Sequence, residues 1–198
     1  FPMIAGKHKG AGMLLYPAQV AEVLAPIAEY PEIQFSLKMR LGWENASECM
    51  VLVELLNTLR LSRIALHART GKQQYKGHPD LEAFQGFYEL CQHPLYYNGD
   101  IESLSDIRQI LIRFPLLKGV FIGRGLLSSP LLAKEFKGNE TFLPEQRMSI
   151  YFAFHEELFS AYSQVLQGET QLLVKMKTLW EYFLPETDRK LLQRIKKS

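Results

Sequence analysis

The residues of this sequence that could do chemistry stand in four short clusters, each closing an apolar run. They are Lys38 with Arg40, His67 with Arg69, Asn98-Gly99-Asp100, and Gly123-Arg124-Gly125. A cation at such a position can stabilise negative charge developing on a reduced ring system, and strand alternation puts Lys38 in phase with Arg40. His67 follows Ile64-Ala65-Leu66 and is expected across from Lys38 on the next strand, as a donor to a ligand. The last two clusters suit a phosphate. Glycines let the backbone approach an anion, amide N–H groups point at it, and Arg124 adds charge-assisted hydrogen bonds. Asn98-Gly99 alone is an ordinary turn signal, but paired with Gly123-Arg124 one strand later it reads as part of a binding site. His8, His78, His93 and His155 have no such company and no metal-ligand spacing, so no metal is expected.

Such clusters act together only if a frame brings the strand ends to one place. Val20, Val23, Leu24, Ile27 and Ala28 recur at helical spacing over 17–30, with Pro17 suited to the first turn. Residues 33–40 read as a strand closed by Leu41-Gly42. A helix is predicted over 47–59, with Met50, Val51, Val53, Leu55, Leu56 and Leu59 on its apolar face. Then follow a strand over 63–67, a polar loop over 68–78, a helix over 81–91, a strand over 94–98, a helix over 103–114 and a strand over 119–123. Four strand–helix units at this spacing predict an α/β fold of parallel strands joined by right-handed crossovers. In a parallel β/α barrel the C-terminal strand ends line the active site, which is where all four clusters fall.

Beyond Pro144 the pattern is helical only, over 146–167, 170–183 and 186–197. A boundary is therefore drawn between a barrel region, 1–143, and a helical domain, 144–198. No Gly/Ser-rich linker separates them, so direct packing is expected. Between Arg189 and Lys197 stand Lys190, Arg194 and Lys196 as well, with no acid among them. This run is either a solvated helix end or a phosphate-contacting tail.

With 47% hydrophobic and 22% charged residues, the 198-residue chain is not disordered wholesale, and a net charge of +2 decides little about partners. Cys49 and Cys91 fall in helical segments without a CxxC partner, which argues against a disulfide framework or zinc site and for a reducing cytoplasm. No apolar stretch approaches the roughly 18–20 residues of a membrane span. The opening Phe1-Pro2-Met3-Ile4 carries neither an initiator methionine nor a signal pattern, as expected of the middle of a longer protein.

Taken together, these motifs resemble the tRNA-dihydrouridine synthase family. Leu37-Lys38-Met39-Arg40-Leu41-Gly42-Trp43 resembles its Lys-x-Arg-Leu-Gly strand, and Leu66-His67-Ala68-Arg69-Thr70 its His-x-Arg-Thr strand. Gln74-Tyr75-Lys76-Gly77 is similar to its tyrosine–glycine continuation. Asn98-Gly99-Asp100-Ile101 and Ile122-Gly123-Arg124-Gly125 match its last two barrel motifs, with Pro130 in the usual place after them. Lys9-Gly10-Ala11-Gly12-Met13-Leu14-Leu15 resembles the segment after its catalytic loop, and Lys175–Tyr182 a basic helix of its C-terminal domain.

The resemblance implies the C-terminal half of a TIM (β/α)8 barrel, with four parallel strands, followed by a truncated helical tRNA-binding domain. It implies FMN as cofactor, NADPH as reductant and tRNA as substrate, with reduction of the C5–C6 bond of specific uridines. Lys38 and His67 would contact the flavin ring system. Asn98, Gly99, Asp100, Gly123 and Arg124 would lie at its phosphate end. Arg40, Arg69 and Tyr75 would face the target uridine or its neighbours, and Lys175 and Lys177 the tRNA. The complete protein would be a monomer.

The departures carry their own expectations. The family's general-acid cysteine lies in an Asn-x-Gly-Cys-Pro loop that this sequence does not contain, and Cys49 and Cys91 stand on outer helices. The chain alone is therefore expected to be inactive, and its outer strands to invite self-association. Three other readings stay open at this point: a different FMN barrel oxidoreductase of the dihydroorotate dehydrogenase kind, a non-catalytic RNA-binding remnant, and a phosphate-binding barrel without flavin.

Overall fold

A computed structural model describes residues 8–183 and 193–194. The tail residues Arg189, Lys190, Lys196 and Lys197, and most of the helix expected over 186–197, lie outside the described residues; Arg194 is helical and exposed. The fold is α/β, with four parallel strands in the order of the chain: β1 (Phe35–Gly42), β2 (Leu61–Thr70), β3 (Leu95–Asn98) and β4 (Gly119–Phe121). Helices alternate with them: α1 (Pro17–Leu24), α2 (Val53–Thr58), α3 (Leu81–Leu90) and α4 (Leu104–Arg113). Then come α5 (Arg124–Ser128), α6 (Leu132–Gly138), α7 (Pro144–Val165) and α8 (Glu169–Trp180).

Packing divides the chain into two compact units. One comprises the residues up to Asp100 with Ser105–Ile122, and the other Ile101–Leu104 with the residues from Gly123 onward. The division by packing falls after Ile122, ahead of the change in sequence pattern at Pro144, so α5 and α6 belong with the later helices.

In the first unit, β1 alternates Leu37, Met39 and Leu41 against Ser36, Lys38 and Arg40, which gives a strand one apolar and one polar face. The apolar face meets the helices. Leu41, Ile64, Leu66, Phe84 and Ile107 are all at most 1% exposed there, and Phe84 meets Tyr97 and Phe114 edge to face at 5.0 Å each. Asp80 caps α3 by accepting a hydrogen bond from the Ala83 N–H at 2.9 Å.

Two helical expectations are corrected. The helix expected over 47–59 is a 3-10 turn, Glu48–Leu52, running into α2, and Val51 faces solvent at 67% exposure. Its buried side is Cys49, Leu52, Val53 and Leu56, because the tighter 3-10 winding rotates the early positions away from the 3.6-residue stripe. Helices α5 and α6 were not expected, since each is short and Ser129-Pro130 interrupts them.

In the second unit, Leu131, Tyr151, Met176, Leu179 and Phe183 form the core, flanked by Phe154, Leu172 and Trp180. Pro144 occupies the first turn of α7, and the Gln146 side-chain carbonyl accepts from the Leu143 N–H at 2.9 Å. The carboxylate of Glu135, 4% exposed, is paired with Arg147.

Candidate active site

The polar faces of the strands form one surface in the first unit. In the β1–β2 register Lys38 stands opposite Ala65 and Arg40 opposite His67; in β2–β3 Ala65 stands opposite Tyr96 and His67 opposite Asn98. Paired residues of neighbouring parallel strands project to the same side, so Lys38, Arg40, His67, Arg69 and Asn98 share a face. Tyr96 and Phe121 lie on it too, with ring centroids 5.4 Å apart. The expected partnership of Lys38 with His67 is corrected by two residues. The register, shifted by one residue between Phe35 and Ser36, sets that stagger, and a sequence does not reveal a stagger.

Charge on this face is concentrated. His67 is 8% exposed, and burial first, then Arg40, Lys38 and Arg69, push its imidazole down to about 4, with Asp100 opposing. His67 is thus a neutral imidazole near pH 7, able to donate from one ring nitrogen and accept at the other. Lys38 is exposed; partial desolvation first and Arg40 second lower its ammonium below the usual range. Half-buried Arg40 donates from Nη1 to the Thr70 carbonyl at 2.6 Å, and Asn98 donates from Nδ2 to the Phe121 carbonyl at 2.8 Å. Lys38 and Arg40 also border a cavity of about 440 Å³ whose other walls, from Gly10 and Leu14 to Leu24 and Met39, are apolar.

Arg69 and Asp100 stand differently from expectation. Arg69 was read as an open rim cation, yet it is 1% exposed. Its Nη1 donates to the Lys76 carbonyl and its Nη2 to the Gly77 carbonyl, both at 2.8 Å, and Nη2 also pairs with the Asp100 carboxylate. Asp100, expected beside a phosphate, instead faces this guanidinium, the arrangement electrostatics favours for a carboxylate. Tyr75 is 60% exposed on the loop that Arg69 grips. Gly99 is close-packed, for a Cβ there would come within 2.7 Å of the Tyr97 hydroxyl.

Two contributors escaped the motif reading. Gln73 Nε2 donates to the carbonyls of Lys76 at 2.9 Å and His78 at 2.7 Å, bracing the Tyr75 loop from within. Glu48 accepts from the backbone N–H groups of Trp43 (2.6 Å), Glu44 (3.1 Å) and Asn45 (2.7 Å), fixing the turn after β1. An acid three to five residues past a Gly-Trp turn is the one signal that could have pointed to it.

In the second unit Gly123 and Arg124 follow β4 directly in the chain. A Cβ at Gly123 would meet nothing within 4 Å, whereas one at Gly125 would strike the Ile101 carbonyl at 2.0 Å. Lys175 is exposed and Lys177 half-buried on α8. The thiols lie off the polar face: Cys49 is buried in the turn after β1, where burial pushes it up to about 12, and Cys91 caps α3. Among the described residues no helix is long and apolar enough to cross a membrane.

The family model for dihydrouridine synthase (Dus) matches residues 2–196. The chain belongs to the dihydrouridine synthase family. It is 35% identical over 135 residues to a protein of Aquifex aeolicus named "Probable tRNA-dihydrouridine synthase", covering 66% of this chain and 42% of that one. It is 26% identical over 143 residues to tRNA-dihydrouridine synthase B of Vibrio vulnificus, covering 70% and 44%. To tRNA-dihydrouridine(16) synthase of Haemophilus ducreyi it is 30% identical over 139 residues, covering 69% and 42%. The matched stretches thus amount to less than half the length of each relative.

The polar face fits the flavin expected for a dihydrouridine synthase. A flavin ring presents hydrogen-bond acceptors along one edge and gains negative charge when reduced. The face offers cations from β1 and a neutral imidazole from β2. These are the groups that can meet such acceptors and a developing negative charge.

Proposed function

We propose that the complete protein carrying this chain is an FMN-dependent tRNA-dihydrouridine synthase of the cytoplasm. It would reduce the C5–C6 bond of specific tRNA uridines, with NADPH as the source of electrons. The observation that carries this reading is the shared face of Lys38, Arg40, His67 and Asn98. Lys38 and His67 would hold the ring system, and Asn98, Gly99, Gly123 and Arg124 the phosphate. When bound, FMN supplies the hydride; the protein supplies position and charge.

Each residue's part follows from its chemistry. Lys38 places a positive charge where reduction makes the ring negative. His67, kept neutral by its burial and by the cations around it, orients by hydrogen bonding and does not deliver a proton at pH 7. Arg40, fixed through Thr70, and Tyr75 would receive the uracil, while Lys175 and Lys177 meet the phosphate backbone of the tRNA. The apolar cavity walls would exclude water. A general-acid cysteine has no counterpart here, because Cys49 and Cys91 are off the polar face; the 198 residues alone are proposed not to turn over uridine.

Mass spectrometry of tRNA nucleosides from cells lacking the gene tests the proposal. Dihydrouridine should fall and return with the wild-type gene, and an unchanged level would sink the assignment.

A further inference from the structure

We propose that Arg69 is a positioning residue, whose guanidinium sets the loop between β2 and α3 and with it the place of Tyr75. The inference deepens the function proposed above and rests on it for the identity of the ligand that Tyr75 would meet.

The loop from Gly71 to Pro79 has no helix or strand of its own, and an unsupported segment of that kind is mobile. Here it is tied down from below. Two successive carbonyls, Lys76 and Gly77, point inward onto the forked guanidinium of Arg69, which has no surface to which it could swing. Gln73 binds the Lys76 carbonyl from the other side, and Thr70 and Gln73 exchange hydrogen bonds of 3.1 and 3.3 Å at the loop's start. Gln74 and Gly77 adopt left-handed backbone, φ 52° and 66°, so the chain turns sharply on either side of Tyr75-Lys76.

The loop's exit is fixed as well, the Asp80 N–H donating to the Ala68 carbonyl at 2.7 Å. Asp100 pairs with the same Arg69 nitrogen that holds Gly77, so the end of β3 and the Tyr75 loop are anchored on one group. An arginine is needed for this. Three acceptors on two nitrogens suit a guanidinium fork, and an ammonium on a flexible stem is poorly matched to them.

The test uses the complete enzyme with Arg69→Met, Arg69→Lys, Asp100→Asn and Tyr75→Phe. The first readout needs no activity: limited trypsin digestion at Lys72 and Lys76, which lie in the loop. Cleavage there should rise on the order of tenfold in R69M and R69K, less in D100N, and not in Y75F, because the open fraction of a loop sets its proteolysis. The second readout is kinetic. R69M should raise KM for tRNA about tenfold with kcat within threefold, and the R69M/Y75F pair should match the R69M single, because residues acting as a unit are not additive.

Full protection of the loop in both Arg69 variants, or additive losses in the double variant, overturns the positioning role. If the loop opens as expected but wild type reduces no uridine, the functional reading fails and the anchoring role stands. Should R69M not fold, D100N and R69K carry both readouts, and wild-type protection in R69K decides against the proposal.

Discussion

Arg40 and His67 stand opposite one another in the β1–β2 register, a cation facing an imidazole across a parallel pair with Asn98 next in line. Arg40 cannot lose its charge near neutrality, so the pair is tolerable only while His67 stays uncharged.

That gives a pH dependence with a definite sign. The His67 pKa is lowered on folding, from 6.5 to about 4, so the unfolded chain binds the extra proton first. Stability should be flat above pH 6.5 and fall as pH drops from there towards 4, by on the order of 3 kcal/mol if the whole shift is realised. Urea midpoints of the purified protein at stepped pH values check this. His67→Gln should flatten the slope over that window, and an unchanged slope would mean that another group carries it.

Replacing Lys38 by methionine keeps the length of the side chain and removes the charge. In the complete enzyme, uridine reduction should drop on the order of a hundredfold, the usual cost of losing one charge-stabilising group. Protein folding, read by circular dichroism, should not change, because Lys38 is exposed. A loss of less than threefold would remove Lys38 from the reaction.

Gly71 lies flat against the Trp43 indole: a Cβ there would come within 2.0 Å of Cε3. The Gly71 and Lys72 N–H groups donate to the carbonyls of Gly42 and Trp43 at 2.8 and 2.9 Å, so neither chain can retreat without breaking a bond. Gly71→Ala should destabilise by about 1–3 kcal/mol, as overpacking does. With Trp180 changed to phenylalanine, the remaining Trp43 emission should shift to the red. An unshifted spectrum would contradict this packing.

In the helical unit, Arg147→Ala leaves the Glu135 carboxylate buried without its partner. Arg147 is partly exposed, so a loss of about 1–3 kcal/mol is expected. Adding Glu135→Gln should recover part of it, because a neutral amide is cheaper to bury than a carboxylate. Thermal melts of the two variants decide, and equal melting temperatures would argue that the pair adds nothing.

The 198-residue chain alone should show no uridine turnover, and should elute from a sizing column at a volume that depends on its concentration. The second expectation follows from β1 and β4 being the outer strands of the described sheet. Turnover by this chain, or elution that ignores concentration, would count against the corresponding half of that statement.

Much of the frame could be read before any coordinates. Alternation in Leu37–Leu41, the apolar run Ile64–Leu66 and the glycine after each strand identify parallel strands and their ends, because side-chain period and turn chemistry are local properties. The same local pattern put Lys38, Arg40, His67 and Asn98 near strand ends, and the register sets them on one face.

What remained was decided by contacts between distant segments. The stagger of the β1–β2 pairing puts Arg40, not Lys38, across from His67. Arg69 and Asp100, polar in any sequence reading and therefore assigned outward, found each other and two loop carbonyls, because a buried guanidinium must satisfy its donors. Sequence thus determined which residues arrive at the strand ends, a matter of local pattern. Only the folded chain decided which of them lie open on the polar face and which are buried and hold the others in place, since that depends on register and burial.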